Sequence, residues 1–561
     1  ALRLGPDGEQ AGKFVQLNNG MVPTRLLWSR EYKDFYEPEP DKVVQVEFDS
    51  SDDNHFRVAM EESLKLFDGV WLPLPFLRFM APHRFDEGPN NWSRMRLVKL
   101  AEPDLDGNTH RLTLAFDTRI MAAVAGAHYL APNEEDVRSG VDFKLACSAR
   151  EYGWFLTHGW IREWLAELYG EARAEWTRER LERDLQGNRH LAHYLNVLSL
   201  LRRPVPAEQS VEKPKVEIPE IKVVANEIQG VVQPIPVDLV LDVGNSRTCG
   251  ILIEDHGQAG SGMRHNYVLE LRDLSEPEKV YNEAFESRVE FTQAYFGKDN
   301  FSVKSGRHNA FQWPTIARVG GEAGRLASRR RGTEGSTGLS SPKRYLWDEK
   351  AYGHGWRFNT SYVKSDKEPL ATAAPFAHLI NDLGQALYLP PKNDMPVFTP
   401  RYSRSNLMTF MLAEVVTQAL AQINSPAQRS RQGHARVPRR LNSITLTVPP
   451  GMPQAERSIL SNRMYEAVGL VWKSFGWHAG ESNPFKDKGI VPRTPLPSIR
   501  VDWDEASCGQ LVYLYNEVNE NFAGHPEEFF AALARPDKQE AEQITLATID
   551  IGGGTTDLVI T

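Results

Sequence analysis

Alternation and period divide the chain into recognisable segments. Val43–Phe48 (VVQVEF) and Arg111–Phe116 (RLTLAF) alternate or run apolar, and Asp106-Gly107 supplies a turn before the second, so both predict strands. From Trp160 to about Leu201 the period lengthens to that of a helix, with Ile161, Trp164, Leu165 and Leu168 on one face. Pro204 to Pro236 carries prolines and charges with few aromatics and predicts an extended linker. Beyond it, Leu239–Leu241 and Ile251–Ile253 predict two strands joined by a polar turn. Met408, Met411, Leu412, Val415 and Ala419 mark an amphipathic helix. Ser443 to Val448-Pro449 reads as a strand, followed by a helix whose apolar face is Leu460, Met464, Ala467 and Val468. Ile499–Tyr515 reads as strand, acidic turn and helix, and Leu546–Thr561 (LATIDIGGGTTDLVIT) as strand, tight turn and strand.

Two of these turns carry candidate chemistry. In the first, Asp242 stands at a strand end and is followed by Val243-Gly244-Asn245-Ser246-Arg247-Thr248. Gly244 would let the backbone approach an anion, while turn amides and the Ser246 and Thr248 hydroxyls would donate to phosphate oxygens. Asp242 would hold a magnesium ion, chiefly through its waters. The closing stretch repeats the logic in Asp550-Ile551-Gly552-Gly553-Gly554-Thr555-Thr556-Asp557. Phosphoryl transfer needs positioned donors, a cation and an oriented nucleophile, and two such hairpins would supply them from opposite sides.

Composition narrows the field. The 561 residues are 41% apolar and 25% charged with a net charge of −9, as in a soluble globular protein of roughly three or four domains. That balance does not favour a nucleic-acid partner. The basic stretches Arg325–Arg331 and Arg429–Arg440 lack interleaved aromatics and read as solvated loops. No apolar run approaches the length of a spanning helix. Cys147, Cys249 and Cys508 form neither a disulfide framework nor a zinc spacing; they read as small buried residues in a cytoplasmic chain. Seven of the thirteen tryptophans lie at or before Trp176, predicting a tryptophan-rich N-terminal core. Asp49–His55 (DSSDDNH) lacks the glycine and glutamate of a calcium loop and reads as a turn.

The segment Val237–Thr561 resembles the ATPase domain shared by DnaK-type heat-shock chaperones, actin and sugar kinases. Asp242-Val-Gly-Asn-Ser-Arg-Thr is similar to the first phosphate motif of that superfamily and Asp550-Ile-Gly-Gly-Gly-Thr-Thr-Asp to its second. The Val448-Pro449 strand with Glu456-Arg457 and Val468-Gly469-Leu470 resembles the approach to its interlobe connection; Asp504-Glu505-Ala506-Ser507 falls where chaperones carry an Asn-Glu-Pro-Thr turn. Pro314–Arg330 and Ser341–Lys350 add weaker similarity.

The resemblance implies an α/β, ribonuclease H-like actin/heat-shock fold preceded by an α+β module. It places an N-terminal module at 1–203, a linker at 204–236, a first lobe at 237–515 and the start of a second lobe at 516–561. It implies ATP or ADP with magnesium on Asp242 and Asp550, and water activation by Asp550 or Glu505. Phosphates would be held by Gly244, Asn245, Ser246, Thr248, Gly552, Gly553, Gly554 and Thr555. Asn245-Ser246 replaces the chaperone threonine pair, and Ala506 replaces the proline of the acidic turn. Lys343, Lys350 and Lys364 are candidates for the catalytic lysine.

In size and layout the chain is similar to the SrfB-type virulence-factor family, which implies protein partners in a larger assembly. Because the superfamily's second lobe continues well past its second phosphate motif, the natural polypeptide is expected to extend beyond Thr561, and residues 1–561 alone are not expected to hydrolyse ATP. A nucleotide-binding scaffold without turnover and a small-molecule kinase of the same fold are the competing expectations.

Overall fold

The protein is described from a computed structural model. It describes residues 55–80, 91–118, 142–146, 155–201, 233–257, 264–297, 310–363, 365–388, 397–537, 544–553 and 556–561 with few gaps, and isolated short stretches elsewhere. The chain divides into two units, Ala1–Ile228 with Tyr295–Gln312, and Gln229–Ala294 with Trp313–Thr561. The excursion Tyr295–Gln312 falls within the segment 237–515.

In the first unit, helix α1 (Met60–Leu66) precedes strands β1 (Trp71–Pro73), β2 (Phe76–Met80), β3 (Ser93–Lys99), β4 (His110–Phe116) and β5 (Asp142–Leu145). Strand β3 lies between β4 and β1, antiparallel to both. Helices α2 (Gly159–Glu171), α3 (Arg178–Gln186) and α4 (Arg189–Ser199) follow. The expected apolar face of α2 is buried: Ile161, Trp164, Leu165 and Leu168 all join the core, as do Trp71, Trp92 and Trp160. The Trp92 indole donates to the Phe76 carbonyl at 3.0 Å, and the Arg94 guanidinium lies 4.8 Å from the Trp164 ring centre. Residues Glu220–Lys222, expected to be linker, pair antiparallel with β5.

The second unit is built on a six-stranded sheet. Strand β6 (Ile235–Val243) turns into antiparallel β7 (Arg247–Glu254), which pairs with β8 (Asn266–Val268) and, at its start, with β9 (Phe285–Glu286). On its other side β6 runs parallel to β11 (Arg439–Val448), itself parallel to β12 (Ser498–Asp504), giving the order β8-β7-β6-β11-β12. Between β9 and β11 come β10 (Arg288–Phe291) and helices α5 (Gly320–Ser328) and α6 (Arg404–Ile423). Parallel neighbours need crossovers, and helices supply them: α6 precedes β11, and α7 (Gln454–Ser474) joins β11 to β12. Both expected helical faces are buried, Met408, Met411, Leu412, Val415 and Ala419 on α6 and Leu460, Met464, Ala467 and Val468 on α7. Leu239, Leu241 and Val243 of β6 complete this core. Helix α8 (Glu505–Asn516) follows β12, and β13 (Ala547–Ile551) and β14 (Thr556–Ile560) form a separate antiparallel ribbon.

Several arginines of the basic stretches are ion-paired. Arg325 binds Asp273 at 2.7 Å and Arg330 binds Glu368 at 2.6 Å, while Arg439 is fully buried against Glu254. Cys249 is exposed on β7, contrary to the expectation of a buried thiol, because it alternates with the inward-facing Thr248 and Gly250; Cys147 lies outside the described residues.

Candidate functional site

Open sheets with parallel strands bind ligands at the carboxyl ends of those strands. Here β6, β11 and β12 end side by side, with Asp242 opposite Thr447 and Val448 opposite Asp504 in the ladder. Asp242 is exposed and accepts a 3.3 Å hydrogen bond from the Thr447 hydroxyl. Asp504 caps α8, accepting from the Ser507 amide at 2.7 Å, which sets Glu505 at the first helical position. Ala506, where chaperones have proline, is buried in that first turn.

Glu505 is the electrostatic centre of this edge. Burial raises its pKa; the Lys343 ammonium, 3.5 Å from Oε1, opposes the shift, and the Asp242 and Asp550 carboxylates add to it. Those groups therefore share one locality. Lys343 itself is buried, held by the short helix Pro342–Tyr345, and is the lysine the structure brings to the acidic cluster. Lys350 is exposed and Lys364 lies outside the described residues.

The first turn is a two-residue hairpin, Asn245-Ser246, closed by the Gly244 amide donating to the Arg247 carbonyl at 3.0 Å. A Cβ on Gly244 would meet that carbonyl oxygen at 2.6 Å, so the turn itself requires glycine. The sequence assigned Gly244 to close approach of an anion; closure of the turn is the nearer reason. Thr248, expected to bind phosphate, faces the interior: it is buried, and its hydroxyl lies 2.9 Å from Ser287 Oγ. Strand alternation sends it inward beside Leu252 while Ser246 and Arg247 stay exposed. Ser287 also donates to the Gly244 carbonyl at 2.7 Å, pinning the turn from behind.

The second turn meets the first. The Arg344 guanidinium donates to the Gly553 carbonyl at 3.0 Å, and a Cβ on Gly553 would stand 2.2 Å from Ser246 Cβ. A Cβ on Gly451, in the turn after β11, would lie 3.3 Å from an Asp557 oxygen. Gln510 of α8 donates to the Thr548 hydroxyl at 2.9 Å, tying the helix to the ribbon. Gly552 and Gly553 are thus at the site, whereas Gly554 and Thr555 lie outside the described residues.

Asp550 and Asp557 stand directly opposite each other across the ribbon. Like charges so paired repel, as do the carboxylates that raise Glu505, and a divalent cation would relieve both. Among the described residues no three His, Cys, Asp or Glu side chains converge as direct metal ligands. Asp242 and Asp550 fit a magnesium ion held through its waters, the mode this hard cation favours.

Thr447, Ser287, Arg344, Gly451 and Asp557 were not among the residues the sequence proposed. Only Asp557 had a local signal, as the last residue of the glycine motif; the rest reach the site through long-range pairing. Among the described residues no helix is long and apolar enough to cross a membrane. The profile of a family described as virulence factor SrfB matches residues 1–561. No curated protein matches the chain.

Proposed function

The chain belongs to the SrfB virulence-factor family, and from that premise we propose that it binds ATP with magnesium and hydrolyses it to ADP and phosphate. The lobe would be ribonuclease H-like, of the actin/heat-shock kind. The observation that carries the reading is the gathering of Asp242, Glu505, Asp550 and Lys343 at the carboxyl ends of parallel strands.

In this reading the Gly552 and Gly553 amides and the Ser246 hydroxyl donate to phosphate oxygens, and Lys343 and Arg344 balance their charge. Glu505 or Asp550 accepts a hydrogen bond from the attacking water. Magnesium would neutralise charge developing between the phosphates. Nucleotide state would then govern contact with a protein partner in a cytoplasmic assembly. Withdrawal of the Thr248 hydroxyl removes one expected donor and favours, as the second reading, a scaffold that binds nucleotide without turnover.

The test is magnesium-dependent ATP hydrolysis by the full natural chain beside its Asp550→Ala variant. Turnover falling at least about a hundredfold in the variant is expected, the scale seen when one stabilising group is removed. Binding without turnover in either protein would select the scaffold. No nucleotide binding at all would end the proposal.

A further inference from the structure

Beside the first hairpin lies a cavity of about 270 Å³, and every residue lining it is polar. Ser246, Arg247, Glu286, Arg288, Ser340 and Ser341 present side chains of unmet hydrogen-bonding capacity; the seventh, Ser287, is already committed to Gly244 and Thr248. Arg288 carries the strongest indication. Its Nε is buried without an acceptor among the described residues, and its Nη2 stands 3.6 Å from Glu290 Oε2, beyond hydrogen-bonding distance. Burial raises the pKa of Glu290, while hydrogen bonds from Asn359 and Thr337 and the Arg288 charge oppose that shift. Arg247 is exposed and spends one nitrogen on the Ala284 carbonyl at 3.2 Å. The hydroxyls of Ser246, Ser340 and Ser341 make no hydrogen bond among the described residues.

Two guanidiniums lining one cavity suit a dianion, which guanidinium groups bind through charge-assisted, bidentate hydrogen bonds. Glu286 cannot face that dianion without repulsion, but it accepts well from a hydroxyl group. Serine hydroxyls serve either role. The volume lies just below the usual range of ligand pockets, and a lining made only of polar and charged residues suits a small polar ligand. We propose that this pocket is a second ligand site, for a small phosphorylated polyol held through its phosphate by Arg247 and Arg288 and through its hydroxyls by Glu286, Ser340 and Ser341. It shares Ser246 and Ser287 with the nucleotide site and does not depend on nucleotide being bound there.

The experiment is calorimetric titration of the full natural chain with glucose 6-phosphate, ribose 5-phosphate and glycerol 3-phosphate. Inorganic phosphate and glucose serve as the single-feature probes, and each titration is repeated under saturating magnesium-ADP. At least one phosphorylated polyol is expected to bind about tenfold or more tightly than phosphate or glucose, with ADP changing its affinity less than about twofold. Arg288→Gln should weaken it by about tenfold or more. Ser340→Glu, at an exposed position, should do the same by repulsion. Failure of all three polyol phosphates to bind, phosphate binding as tightly as they do, displacement by ADP, or an unaffected Ser340→Glu protein would each overturn the proposal. Absence of nucleotide binding with polyol phosphate still bound would instead sink the ATPase reading and leave this one standing.

Discussion

In the first hairpin Leu239, Leu241 and Val243 are buried, and β6 has a hydrogen-bonded neighbour on each side. In the second, Ile549, Ile551, Leu558 and Ile560 are 66%, 80%, 63% and 64% exposed, and β13 and β14 pair only with each other among the described residues. Register puts those four side chains on one face, while Thr548, Asp550 and Asp557 lie on the other, toward α8 and the site. The two stretches share a strand–aspartate–glycine pattern, and that pattern specifies turn chemistry. It says nothing of how deeply the flanking strands are buried, which is decided by strands and helices hundreds of residues away. The first hairpin is thus a fixed platform, and the second is held by its turn and one helix.

The sharpest way to break this contrast is a truncation in each ribbon. Leu241→Ala removes a fully buried side chain and should cost about 2–5 kcal/mol by chemical denaturation. A loss below about 1 kcal/mol would mean the platform is not rigid. Next in size is Gly244→Ala, whose methyl group would meet the Arg247 carbonyl oxygen at 2.6 Å. The turn must open, costing about 1–3 kcal/mol, and hydrogen exchange at the Gly244 amide should accelerate.

Glu505→Gln tests the junction of the two hairpins. Because the folded pKa of Glu505 lies above its unfolded value, the folded state holds the proton more tightly, so its contribution to stability falls as pH rises from about 4.5 upward. The melting temperature of the glutamine variant relative to the parent should therefore be higher at pH 7–8 than at pH 4, whatever constant loss follows from leaving Lys343 unpaired. A difference that does not change with pH would remove the electrostatic explanation. Smallest of all is Ile551→Ser, on the exposed face, expected to change stability by no more than about 0.5 kcal/mol. A large loss would show that this face is covered in solution.

Much of this was readable beforehand. The helices at 404–423 and 454–474 follow directly from their apolar period, and all four strands of the paired hairpins lie where apolar runs placed them. The inward turn of Thr248 was also readable, since it has the parity of Leu252; motif similarity overrode alternation there. What could not be read is what long-range pairing decides. Nothing near Lys343 distinguishes it from Lys350, yet the fold buries one beside Glu505 and leaves the other in water. Ser287 and Thr447 look like ordinary strand-end hydroxyls until register brings them to Gly244 and Asp242.

The parallel pairing of β6 with β11 has a consequence for synthesis. Ile235 and Arg439, paired in the finished sheet, are about two hundred residues apart in the chain. At ribosomal rates of about 5–20 residues per second, β6 emerges roughly 10–40 s before its partner. During that interval one edge of an apolar strand is bare, the condition under which nascent chains associate with one another. Because the carboxyl ends of those same strands form the site, arrested translation anywhere between the two strands should leave a product without a site and prone to self-association.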